Sequence, residues 1–242
     1  MEYPRKAMIF CAGLGTRFKP WTDKHPKALA MVNGKSLLQR NIEYLQQYDI
    51  FEVVVNVHHF PDQLIDAIEK NKGWGSQVTV SDERQSLLET GGGLLHAAPL
   101  LRDDRPFLTL NADILTNLDI NKLVEFHAEK KALISFGITS RITSRNLLLD
   151  ENSRLCGWEN SATGEKRISR QTEKPVSMAY SCVAMFEQEV LDIIPQKGKF
   201  SLIDTYLDLA RTRDIYGYDH SGDYLVDVGR PESVEAAEII FK

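Results

Sequence analysis

Two glycines, an arginine and a lysine stand close together near the N-terminus. Gly13-Leu14-Gly15-Thr16-Arg17 follows the apolar run Ala7-Met8-Ile9-Phe10, and Pro26-Lys27 comes shortly after. A strand running into a glycine turn presents backbone N–H groups to an anion, and glycine lets that anion approach the main chain. Arg17 and Lys27 add fixed positive charge beside the turn. This grouping suits the phosphates of a nucleoside triphosphate. Two better-known glycine motifs do not fit. The dinucleotide fingerprint Gly-x-Gly-x-x-Gly requires glycine at position 18, which is Phe18. A Walker loop on Gly34-Lys35-Ser36 requires glycine at position 29, which is Leu29. A bare Gly-x-Gly is also an ordinary turn.

Other residues could join such a site. Asn111-Ala112-Asp113 follows the apolar Phe107-Leu108-Thr109-Leu110, and Val226-Asp227-Val228-Gly229 follows Tyr224-Leu225. A lone Asp at a strand end commonly forms a turn or caps a helix. Leu88-Glu89-Thr90-Gly91-Gly92-Gly93 brings three glycines to the start of a helix, where a flat ligand or another backbone can come very close. A flexible turn accounts for that run equally well. Glu173-Lys174-Pro175 precedes Ala179-Tyr180-Ser181-Cys182-Val183, and its bland reading is a salt-linked surface turn. His58 and His59 are neighbours on a strand and face opposite sides, so they chelate poorly. Trp21, Trp74 and Trp158 read as packing residues.

Taken together, Gly13 to Arg17, Pro20, Pro26-Lys27 and Gly34-Lys35 resemble the signature of the sugar-1-phosphate nucleotidyltransferases. These enzymes join a nucleoside triphosphate to a sugar-1-phosphate and release pyrophosphate. The resemblance runs from residue 6 to about residue 240. It implies that Ala12, Gly13, Gly15, Thr16 and Asn111 hold the nucleotide, with Arg17 and Lys27 as the catalytic cations. Arg17 would bind the triphosphate, and Lys27 would lie near the reacting phosphate. The matching Asp pair, Asp113 and Asp227, would hold Mg²⁺, which takes one or two carboxylates and fills its octahedron with water and phosphate oxygens. Glu89, Thr90, Gly91 and Gly92 would read the nucleobase edge. Glu173, Lys174 and Ser181, with Lys27, would meet the sugar phosphate. Cys11 stands where the family usually has a small residue such as Ala, and Met31 where Pro is common. The Leu-Glu-Thr-Gly-Gly-Gly run is similar to that of N-acetylmuramate-1-phosphate uridylyltransferases of cell-wall recycling. Those enzymes have a Phe-Ser-Gly where this chain has Tyr180-Ser181-Cys182. UTP and N-acetylmuramate-1-phosphate are therefore the implied substrates. A guanylyltransferase for mannose- or heptose-1-phosphate, a cytidylyltransferase and a non-catalytic nucleotide-sugar-binding regulator stay open.

The elements that must position these groups are legible as an alternation. Strands are expected at 7–10, 53–55, 78–80 and 107–110, and helices at 36–48, 61–70, 93–101 and 118–131. Continuous apolar strands between helices predict a mainly parallel mixed sheet covered on both faces, a Rossmann-like three-layer α/β/α fold. Ligands of such sheets bind beyond the carboxyl ends of the strands, where the glycine loop and Asp113 can converge. From 133 to 186, short strands and polar turns predict a small antiparallel elaboration. Helices at 187–195 and 201–213, a strand at 224–226 and a helix at 231–240 complete the chain. The expectation is one domain over 1–242, with a nucleotide-binding half to about 132 and a sugar-binding half beyond.

Composition narrows the partners. The 242 residues carry a net charge of -5, from 29 basic and 34 acidic residues, which argues against a general nucleic-acid binder. The basic groups Arg141 to Arg145 and Lys166 to Arg170 read as solvated loops. Three scattered cysteines form neither a disulfide framework nor a metal spacing. No signal core or membrane span is visible, so a cytoplasmic enzyme acting on a nucleoside triphosphate and a sugar-1-phosphate is expected. Oligomeric state has no signature in this sequence.

Overall fold

The N-terminal apolar run forms β1 (Lys6–Phe10), with Ala7, Met8 and Ile9 fully buried. The computed structural model describes residues 2–242. A ribbon of β2 (Met31–Val32) and β3 (Lys35–Ser36) turns through Asn33 and Gly34, both at positive φ, as a two-residue hairpin demands. It leads into α1 (Leu37–Gln46), where the Ser36 hydroxyl accepts the Gln39 N–H at 3.1 Å and caps the helix. Then follow β4 (Glu52–Val57), α2 (Pro61–Lys70), β5 (Gln77–Asp82), α3 (Glu89–Leu101) and β6 (Phe107–Asn111). The second half comprises β7 (Ile114–Thr116), α4 (Ile120–Lys130), β8 (Ile134–Thr139), β9 (Arg145–Leu149), β10 (Leu155–Asn160) and β11 (Glu165–Ile168). It closes with β12 (Val176–Phe186), α5 (Val190–Ile193), α6 (Leu202–Leu209), β13 (Ile215–Asp219), β14 (Leu225–Asp227) and α7 (Glu232–Ile240).

β6, β1, β4 and β5 lie side by side and parallel. Their side chains alternate between two apolar layers. Ala7, Ile9, Val53 and Val55 pack against α1, α2 and α4, while Met8 and Val54 pack against α3 and α6. The fold is thus three-layered α/β/α. β1 has β4 on one side and β6 on the other, so the strand order reverses at its carboxyl end, the place where such sheets bind ligands.

One ten-stranded sheet runs through both halves, and β12 is where it forks. The first part of β12 pairs antiparallel with β9, Ala179 opposite Asn146. Its last part pairs antiparallel with β6, Val183 opposite Leu110. β9 and β6 thus occupy the same edge of β12 in succession, while β8 follows the opposite edge throughout. The register against β8 shifts between Tyr180 and Ala184, and Cys182 there takes φ +57°. A gap opens between the start of β9 and the end of β6.

The structure differs from expectation in several elements. α3 begins at Glu89, so the three glycines lie inside its first turns. The helix expected at 187–195 is the single turn α5, since Pro195 disfavours helical backbone at Ile194. The helix expected to run to 213 stops at Leu209, freeing the chain for β13. β11 is a polar, exposed edge strand without an apolar alternation to announce it.

Candidate active site

The glycine loop is anchored from below. Asn56, at the end of β4, accepts the Cys11 N–H at 2.7 Å and the Ala12 N–H at 3.4 Å through Oδ1. Its Nδ2 donates to Glu83 Oε1 at 2.8 Å. Asn56 and Glu83 are each 2% exposed. Burial pushes the Glu83 carboxyl above its usual range, and its Oε2 has no hydrogen-bond partner. Further along, Gly15 sits at φ +60°, and its carbonyl accepts the Thr22 hydroxyl at 2.9 Å and the Phe18 N–H at 2.8 Å. The loop encloses a cavity of about 250 Å³ together with Lys27, Thr90, Asn111, Asp113 and Gly229.

Charge converges on this cavity from separate strand ends. Lys27 Nζ lies 2.5 Å from Asp113 Oδ2, with side chains 12% and 25% exposed. β14 runs antiparallel to β7, and the Val228 N–H donates to the Asp113 carbonyl at 2.8 Å, which sets Asp227 beside Asp113. A Cβ on Gly229 would come within 2.5 Å of Asp227 Oδ1 and 3.0 Å of Arg17 Nη2, so bare backbone lets those two side chains approach. Asp227 Oδ1 is buried with no hydrogen-bond partner. Two carboxylates, one with an orphaned buried oxygen, fit a cation that completes its shell with phosphate and water. No cluster of three or more protein ligands occurs among the described residues. Burial, with Asp113 close by, pushes the Cys182 thiol up to about 12, and burial pushes Cys11 up as well. Both thiols therefore stay protonated near neutrality and are no nucleophiles.

The gap at the fork forms a second cavity of about 520 Å³, continuous with the first through Arg17, Asn111 and Asp113. Away from these shared residues it is lined by Arg141, Arg145, Asn146, Trp158 and Tyr180. Arg141 Nη2 donates to the Tyr180 carbonyl at 3.0 Å.

Of the residues singled out in the sequence, Gly13, Gly15, Thr16, Arg17, Lys27, Thr90, Asn111 and Asp113 surround the first cavity, and Asp227 joins them in the second. Ala12 is buried behind the loop. Six others are placed differently. Glu89 is exposed and lies 3.6 Å from Lys199. The Gly91 and Gly92 N–H groups both donate to the Phe200 carbonyl, at 2.9 and 3.3 Å. A Cβ on Gly91 would stand 2.2 Å from the Phe200 ring, and one on Gly92 2.2 Å from the Gly198 carbonyl oxygen. The close approach that these two glycines permit is to the 198–200 backbone, not to the cavity. Ser181 is also displaced from its expected role. It is 0% exposed and its hydroxyl is 2.7 Å from His220 Nε2, because it points to the opposite side of β12 from Tyr180 and Cys182. His220 Nδ1 is in turn 3.4 Å from Asp223, yet no substrate can reach that buried serine. Glu173 and Lys174 are exposed in the bend before β12 and line neither cavity.

The sequence reading missed Asn56 and Glu83, whose signal was an Asn inside an apolar strand. It took Arg141 to Arg145 for a solvated loop, whereas Arg141 and Arg145 line the second cavity; Trp158 packs against the apolar core as expected and lines that cavity too.

Known proteins are similar to this chain. The N-acetylmuramate alpha-1-phosphate uridylyltransferase of Caulobacter vibrioides is 31% identical over 98% of this chain and 97% of its own length. The mannose-1-phosphate guanyltransferase of Yarrowia lipolytica is 28% identical over 94% of this chain, which spans 61% of that relative's length. The crystal structure of HddC from Yersinia pseudotuberculosis complexed with GMP-PN shares the fold, with a TM-score of 0.78 over the whole of both chains at 21% identity. No helix among the described residues is long and apolar enough to cross a membrane. The nucleotidyl transferase family model matches residues 6–240, from β1 through the glycine loop and both aspartates to α7, and the chain belongs to that family of enzymes.

Proposed function

We propose that this chain transfers a uridylyl group from UTP to N-acetylmuramate-1-phosphate, releasing pyrophosphate and leaving a nucleotide-sugar. The observation that supports the reading is the end-to-end likeness to a uridylyltransferase of that acceptor, 97% of its length, alongside two adjoining cavities, one at the glycine loop and one at the fork of the sheet. The glycine loop receives the triphosphate, with Gly13 offering bare backbone and Arg17 taking charge that develops on the leaving pyrophosphate. Lys27 holds the acceptor phosphate against the α-phosphate. An oxygen of the acceptor phosphate attacks the α-phosphorus in line, the bond to the β-phosphate's bridging oxygen breaks, and its electron pair leaves with pyrophosphate. Asp113 and Asp227 would hold Mg²⁺, which supplies charge neutralisation between the two phosphates when bound. Catalysis comes from positioning and electrostatics, with no covalent intermediate. Thr90 is the residue of the 89–92 run that lines the nucleotide cavity, and its hydroxyl accepts the Leu202 N–H at 3.0 Å.

A guanylyltransferase acting on mannose-1-phosphate is the second reading, favoured by the Yarrowia lipolytica relative. Pyrophosphate release with Mg²⁺ separates them, across UTP, GTP, CTP, ATP and dTTP against N-acetylmuramate-, N-acetylglucosamine-, glucose- and mannose-1-phosphate. Turnover with UTP and N-acetylmuramate-1-phosphate is expected. Turnover with GTP and the manno acceptor would replace the reading. A thermal shift with a nucleotide-sugar, but no turnover on any pair, would make the chain a binding protein.

A further inference from the structure

The far end of the second cavity holds more positive charge than a neutral sugar requires. Arg141 reaches it from the loop between β8 and β9, and Arg145 from the first position of β9. Neither has a carboxylate partner among the described residues, whereas Arg154 and Arg167 in the same half of the chain are paired with Asp214 and Asp204. Arg141 spends Nη2 on the Tyr180 carbonyl, and its Nε is buried with no acceptor at all. A buried guanidinium N–H without a partner is costly, and a ligand that brings an acceptor removes the cost. The planar fork of arginine matches a carboxylate with two parallel hydrogen bonds.

The rest of the cavity says where such a carboxylate would lie. Asp113 and Asp227 stand at the near end and repel a second anion there. Lys27 and Arg17 are also at that end, where the acceptor's phosphate belongs. Trp158 and Tyr180 line the same end as the arginines and offer aromatic surface to the body of a sugar. The cleft is therefore built for an acceptor with anionic groups at opposite ends. We infer that Arg141 and Arg145 determine acceptor specificity by binding a carboxylate carried on the sugar, so that acidic sugar-1-phosphates are chosen over neutral ones. This rests on the transferase reading above and assigns the residues that set its acceptor.

N-acetylmuramate-1-phosphate and N-acetylglucosamine-1-phosphate differ by one lactyl ether and make the test direct. Steady-state kinetics with UTP on both acceptors would be measured for the wild type, R145A and R141K, together with calorimetric binding of each acceptor without UTP. The wild type is expected to prefer the acidic acceptor. R145A is expected to lower kcat/KM for it about tenfold to a hundredfold, mainly through KM, the size of a lost hydrogen bond between charged groups. The preference over the neutral acceptor should narrow in step. R141K, which keeps the charge but loses the fork, should narrow it less than R145A. Equal losses on both acceptors would overturn the inference, since the arginines would then serve the phosphate or the fold. Equal binding of the two acceptors by the wild type would overturn it as well. If no nucleotide and acceptor pair releases pyrophosphate, the transferase reading fails, and the calorimetric preference alone decides whether the arginines bind a carboxylate.

Discussion

Alanine in place of Gly15 should disable this protein in two measurable ways, and alanine in place of Gly13 in only one. Gly15 has φ +60°, a conformation that costs an L-residue about 1–2 kcal/mol. The new methyl would also stand 2.7 Å from Thr22 Cγ2 and 3.2 Å from Lys27 Cβ, so a neighbour must shift. In a domain of this size about 1 kcal/mol lowers Tm by roughly 2–4 °C, so G15A is expected to melt about 2–8 °C below the wild type. The displaced neighbour matters for activity. Lys27 ends 2.5 Å from Asp113, and a misplacement on the order of 1 Å at a reacting centre costs about 10²-fold in rate. Pyrophosphate release should fall by about that factor. Gly13 differs, because a Cβ there meets nothing within 4 Å and its φ lies outside the left-handed region. G13A should therefore melt within about 2 °C of the wild type. Its methyl would nevertheless occupy the face that the triphosphate approaches, so the KM for UTP should rise. Thermal melts and initial rates over a UTP titration read both effects. A G15A protein that melts like the wild type would refute the strain argument. A G13A protein with an unchanged KM for UTP would show that the triphosphate does not lie on this loop.

Asp113→Ala is expected to lower turnover about 10²–10³-fold while leaving the protein folded, as removal of a transition-state electrostatic group does. Normal pyrophosphate release at saturating Mg²⁺ would sink the metal assignment. Glu83 sets a pH dependence of stability. Burial raises its folded value above the ordinary 4.5, so its contribution is fully present below 4.5 and is lost as pH rises through the folded value. E83Q keeps an acceptor for Asn56 but removes the buried charge. Denaturant melts from pH 4 to 8 should show wild-type stability falling relative to E83Q as pH rises, and parallel profiles would refute the burial argument. The Cys182 thiol, pushed up to about 12, should react with iodoacetamide at pH 8 about 10³-fold more slowly than a free cysteine, from its thiolate fraction alone. Labelling of Cys182 at the rate of a free thiol, read by peptide mass spectrometry, would contradict that shift.

What the sequence made legible was local. Alternating apolar runs with periods of two and 3.6 disclose β1, β4, β5, β6 and the helices between them, because each element buries its own stripe. The glycine loop is legible for the same reason, since Gly13 to Lys27 carry most of the phosphate end within one stretch of chain. The second cavity is not local. It is made where Asn111, Asn146 and Cys182, distant in sequence, meet at the fork of the sheet. Motif similarity pointed to Glu173 and Lys174 instead. An extended chain advances about 3.3 Å per residue, so the start of β12, beyond which those two lie, is on the order of 20 Å from Cys182. The glycines of α3 show the same limit: the sequence announces a close approach, and only the tertiary structure shows that Gly198 and Phe200 make it.

The backbone at Cys182 ties these points together. A strand cannot pair with β9 and then with β6 on the same edge without a break, and the break is placed at residues 180–184. Cys182 meets it with φ +57°, a conformation that glycine takes freely and that costs another residue on the order of 1 kcal/mol or more. The same break aims Tyr180 and Cys182 into the cleft and turns Ser181 away to His220. It also leaves the Tyr180 carbonyl free of the β9 ladder and able to hold Arg141. One local distortion thus opens the second cavity, selects which side chains line it and anchors the arginine that reaches it.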